Sequence, residues 1–190
     1  QNTAVGLGSM CKNTTGASNV GLGVLSLACN TTADNNTAVG EKSLWKNTTG
    51  YSNAAVGKDA MLTNTTGHTN SAFGAAALED NTTGDLHTAI GGLALRCNTT
   101  GNDNTAVGYS ALRRNTTAAV NAAFGGYALE SNTTGTRNVA VGISALEDNS
   151  TASDNTAVGY RSLYINTTGY SNVAVGTNTL DSNTTGFCNV

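Results

Sequence analysis

A period of 17 residues runs through the whole chain without a slip. It is plainest between Asn36 and Ser52, NTAVGEKSLWKNTTGYS, and its first residue falls at Asn2, Asn19, Asn36, Asn53, Asn70, His87, Asn104, Asn121, Asn138, Asn155, Asn172 and Asn189. That makes eleven complete units and a two-residue stub. A unit this short cannot bury an apolar face by itself and does so only by stacking on its neighbours. The prediction is one repeat domain over residues 1–190, an all-β parallel β-solenoid or β-roll of eleven 17-residue coils. No composition shift or irregular linker marks a place where a second domain could begin.

With the leading Asn as column one, the units can be compared with one another. Column five is glycine in every unit: Gly6, Gly23, Gly40, Gly57, Gly74, Gly91, Gly108, Gly125, Gly142, Gly159 and Gly176. Such a column points to a positive φ or to a backbone that something approaches closely. Column three is Ala in all units but one, where it is Gly21; column four is always apolar, as in Val39, Phe73 and Ile90; column nine is always Leu or Met. The run T-A-V followed by Gly is too short and too β-branched for a helix. Turn-forming corners every eight or nine residues predict two short strands per coil. Alternation along a strand sends column four to one face and columns three and five to the other. The large residues of columns four and nine are therefore expected to fill the coil. The Ala and Gly columns are expected to meet another backbone, either a second chain or the opposite wall. Two large apolar residues in 17 make a thin core, which predicts intertwined or side-by-side chains.

All 21 charged residues fall in columns six, seven, ten, eleven, sixteen and seventeen, together with Trp45 and every tyrosine. These are the outer corners. Charge makes up 11% of the chain and the net is −3, too little to call for nucleic acid or a membrane surface as partner. No apolar run reaches the roughly 20 residues of a membrane-spanning helix. His68 and His87 stand in different columns with no recurring Cys, Asp or Ser partner, and the acidic pairs Glu79–Asp80 and Glu147–Asp148 are corner residues. Nothing in this pattern calls for catalysis, a cofactor or a metal. Cys11 and Cys29 lie in adjacent units within conceivable bonding range; Cys97 and Cys188 are more than five units apart.

Columns twelve to fourteen read N-T-T, once N-S-T. The asparagines are Asn13, Asn30, Asn47, Asn64, Asn81, Asn98, Asn115, Asn132, Asn149, Asn166 and Asn183. One reading is a ladder of stacked amides that donate and accept along the axis. The other is a row of N-x-[ST] acceptors for covalent N-linked glycan. The Thr of column fourteen never varies, which fits either. Asn35, in N-N-T, is a further sequon outside the row.

N-T-A-V-G followed by a small residue and Leu resembles the YadA-like head repeat of trimeric autotransporter adhesins and related bacterial and phage fibre repeats. The likeness covers the whole chain. It implies a left-handed parallel β-roll in a homotrimer, displayed outside the cell, with Ala38, Val39, Gly40 and their equivalents on the inner strand. The family motif has one more residue between the Asn and the Ala-apolar-Gly core, and its period is shorter than 17. The expected role is structural: a segment of an extracellular or cell-surface fibre or adhesin shaft, its partners copies of itself along and beside it. The chain then reads as a window of a longer fibre or a subunit that stacks end to end. The alternative is an ice-binding, carbohydrate-binding or surface-binding solenoid that uses the threonines. Flat ice-binding faces want outward Thr pairs, and adjacent Thr14 and Thr15 allow only one per coil to face out.

Overall fold

A computed structural model covers all residues from Gln1 to Val190. Eleven three-residue strands, β1 (Thr3–Val5), β2 (Val20–Leu22), β3 (Thr37–Val39), β4 (Ala54–Val56), β5 (Ser71–Phe73), β6 (Thr88–Ile90), β7 (Thr105–Val107), β8 (Ala122–Phe124), β9 (Val139–Val141), β10 (Thr156–Val158) and β11 (Val173–Val175), form one parallel sheet in chain order. Each residue pairs with the one 17 further on, as Thr37 with Ala54 and Ala38 with Ala55. The molecule is a β-solenoid without helices.

Each coil has one strand, not two. The expected second strand is replaced by tight turns. Every residue of columns seven, nine and seventeen has φ between 48° and 68°. A left-handed residue reverses the local direction of the chain, so two of them a single residue apart cannot lie in an extended strand. The ladder still closes, because carbonyls and amides of these turns pair with the next coil: Leu44 N–H donates to Ala60 O at 3.0 Å, and Lys46 N–H to Leu62 O at 3.1 Å. Of the 130 backbone hydrogen bonds only 20 belong to the strands; the rest lie in the turns, some closing a turn within its own coil and others joining it to the next.

The left-handed positions carry ordinary side chains, which costs about 1 kcal/mol each relative to a residue at ease there. Val120, β-branched, exposed and at φ 61°, is the least suited of them. Val120→Asn is expected to raise stability by about 1 kcal/mol, read as a higher urea midpoint at unchanged slope.

The strand is also turned the other way from the sequence expectation. Column three points in: from the third coil onward Ala38, Ala55, Ala72, Ala89 and their equivalents are buried with Leu44, Met61, Leu78 and Leu95 of column nine, and only Ala4 of the first coil is exposed. Column four points out, with Phe73, Ile90 and Phe124 each more than 40% exposed. The coil is too narrow for two large side chains. Column nine supplies one Leu or Met per turn, contributing about 2 kcal/mol by burial, and only a methyl fits opposite it.

Candidate functional site

Two asparagine columns line the interior beside this apolar strip. In column twelve, Asn30 to Asn166 are all fully buried. Each Nδ2 donates to Oδ1 of the Asn one coil back at 2.8–3.1 Å. The same nitrogen donates to the column-fifteen carbonyl of its own coil, as Asn47 to Gly50 O at 2.8 Å. Column one works differently. There the backbone N–H donates to the preceding side chain, Asn53 N to Asn36 Oδ1 at 3.0 Å, while Nδ2 reaches the same column-fifteen carbonyl, Asn36 to Gly50 O at 2.9 Å. One carbonyl per coil thus ties both columns together.

This geometry is that of the ladder. Along the buried run the nitrogen that a glycan would be attached to is enclosed and spends both protons on hydrogen bonds. Only Asn13 and Asn183, in the terminal coils, are partly exposed. The threonines divide. Column thirteen closes a third ladder, its hydroxyl donating to the next coil's carbonyl, Thr48 Oγ1 to Thr65 O at 3.0 Å. Column fourteen stands exposed in every coil, from Thr15 to Thr185, one threonine per turn in single file. Sequence comparison shows that column's invariance but not its exposure.

Column five is explained within one chain. At Gly40, φ is +130° and a methyl group would lie 2.5 Å from Gly57 O. The neighbour inferred from sequence for the glycine column is the next coil, and no second chain is needed to account for it.

The outer corners pair mostly with the same column one coil away. Arg96 Nε lies 2.6 Å from Glu79 Oε2, Arg113 Nη2 lies 2.6 Å from Glu130 Oε1, and Arg137 grips Asp154 with two bonds at 2.7 and 2.9 Å. Tyr51 stacks on His68 at 4.6 Å between ring centres, and His68 Nε2 lies 3.2 Å from Asp85 Oδ2. All four cysteines are free thiols, Cys11 and Cys29 included. Burial pushes the Cys97 thiol up and the Asp80 carboxyl up, the latter helped by Glu79, the opposite of what a nucleophilic thiolate needs. The surface has no cavity, and no group of three His, Cys, Asp or Glu side chains is placed to hold a metal.

What remains is a long face. Columns two, four and six run outward along the sheet and its first turn, and column four is apolar in all eleven coils. Leu7, Val24, Tyr109, Ile143 and Tyr160 of column six extend it, all of them exposed. The only charges on these three columns are Glu41 and Lys58, which pair with each other at 3.7 Å. With about 4.8 Å per coil and 3.3 Å per residue, the face is roughly 50 Å by 15 Å, on the order of 750 Å². Within it the apolar residues of column four form an unbroken file, flanked by the threonines and small residues of column two.

Comparison with family models, with curated proteins and with solved structures finds no match.

Proposed function

We propose that the chain is a structural segment of an extracellular or cell-surface fibre, of the adhesin-shaft kind, in which copies pack side by side along the face of columns two, four and six. The observation that carries this reading is the outward apolar file of column four. A free-standing solenoid gains nothing by keeping Val, Ile, Phe or Leu in water over eleven turns, and a varied polar column would serve it better. The face is neutral, and its extent is close to the roughly 800 Å² that each partner gives to an ordinary stable interface. A homotrimer around a common axis, as the resemblance to YadA-like repeats implies, would cover it. Function then lies in length and stiffness: parallel ladders on every side resist bending, while the varied corners face outward.

Light scattering during gel filtration tests it. The wild-type chain is expected to run as a stable oligomer at micromolar concentration, and Val107→Asp with Phe124→Asp to run as a monomer with an unchanged far-ultraviolet spectrum. Both side chains point away from the core, so the coil itself survives the change. A monomeric wild type, or an oligomer indifferent to the double substitution, would overturn the reading.

A further inference from the structure

Column one is Asn in every unit except the sixth, where it is His87. The imidazole is buried to 1% exposure and fills both roles of the amide that it replaces. Nε2 lies 2.6 Å from Gly101 O, so it carries the proton and donates as an Asn Nδ2 would. Nδ1 lies 3.3 Å from the backbone nitrogen of Asn104 in the seventh coil and accepts its proton, as an Asn Oδ1 would. Asn98 Nδ2, 3.1 Å from Nε2, is a neighbour without being a donor to it, because it already serves Asn81 Oδ1 and Gly101 O. These two bonds fix the neutral Nε2–H tautomer.

We propose that His87 makes the junction between the sixth and seventh coils an acid-labile joint, the place where the rod opens first when the pH falls. A second proton can go only to Nδ1. There it meets the Asn104 N–H head on, so two donors face each other and the amide loses its acceptor. Every other junction keeps an amide that does not titrate. Each coil touches only its neighbours, so the weakest junction decides where a solenoid parts.

Asp85, near the end of the fifth coil, and Asp103, the last residue of the sixth, both favour the cation, but burial outweighs them and holds His87 below the ordinary histidine value. Asp85 is also engaged by His68 of the coil beneath. The remaining polar neighbours, Asn70 Oδ1, which accepts the His87 N–H at 2.9 Å, and Asn98, do not titrate. The unfolded chain therefore takes up the proton first as acid is added. The junction's stability is complete above about pH 6.5 and declines as pH falls below it.

Amide exchange followed by NMR provides the test, with a control built into the repeat. The Asn104 amide donates to His87 Nδ1, whereas the Asn121 amide donates to Asn104 Oδ1 at 3.0 Å. Their exchange ratio cancels the intrinsic effect of pH. Between pH 7.5 and 5.0 the Asn104:Asn121 ratio is expected to rise about tenfold. In His87→Asn it should stay flat. A flat ratio in the wild type, or the same rise in His87→Asn, would overturn the proposal. Should that variant not fold, the titration of the His87 imidazole in the wild type decides. Protonation of His87 without loss of Asn104 protection sinks the idea equally.

Discussion

Gly108→Val is expected to cost about 4 kcal/mol or to prevent folding of the coils around it. Two physical terms act together. The φ of +138° lies where no side chain is at ease, and a Cβ would stand 2.5 Å from Gly125 O and 2.6 Å from its carbonyl carbon. Those are backbone atoms of the next coil, locked in the ladder by Gly125 N–H to Val107 O at 2.8 Å. Neither neighbour can yield without parting the stack. Because coils meet only their neighbours, the damage should be local: limited proteolysis is expected to cut between the seventh and eighth coils while the remote turns stay protected. Gly126→Ala is the matched control, one residue further in the eighth coil, where φ is not positive and the nearest atom to a new methyl is 3.9 Å away. It should fall within about 0.5 kcal/mol of wild type. Equal stability of the two variants would show that column five is glycine for some reason other than its backbone.

The period of 17 was sufficient to set the register of all eleven strands, since identical units stack only when like meets like. Column five was legible in part: invariant glycine announced a positive φ or a close approach, and both hold, but the neighbour is the next coil and neither a second chain nor the opposite wall. The phase of the strand was not. Alternation says that Ala38 and Val39 face opposite ways, and it is silent on which way is in. The usual preference for the larger residue inside fails because the coil is so narrow: Leu44, Asn36 and Asn47 already occupy the interior, leaving space for the methyl of Ala38. The missing second strand hid for a different reason. Left-handed turns are normally announced by Gly or Asn, yet columns seven and nine hold Lys42, Leu44, Tyr127 and Leu129. Closure of the coil forces these residues there, and the stack outweighs the local cost. His87 could have been recognised as a ladder member from its column alone, because imidazole is a ring that, like an amide, both donates and accepts.

The ladder itself is open to an equally sharp test at Asn115. Its Nδ2 donates to Asn98 Oδ1 at 2.8 Å and to Ala118 O at 3.0 Å, and its Oδ1 accepts from Asn132 Nδ2 at 3.0 Å. Asn115→Ala strands two buried groups, the Asn98 oxygen and one Asn132 proton. Ala118 O keeps the bond from Asn104 Nδ2 at 2.8 Å. At about 1–3 kcal/mol for each orphaned group, a loss of about 3 kcal/mol is expected in urea denaturation. Asn115→Asp separates hydrogen bonding from shape. An ionised carboxylate there would face the oxygens of Asn98 and Ala118 with no proton to offer, so the fold should hold its acid form and raise its pKa. A folded-state value above the unfolded one means that the native chain binds more protons, and stability then falls as pH rises. The variant is therefore expected to be firmer at pH 4 than at pH 7, the reverse of the trend that His87 imposes on the wild type. If Asn115→Ala proved nearly as stable as the parent, the invariance of the N-T-T column would need a cause outside the coil. With the predicted loss, the amide ladder explains the asparagine on its own.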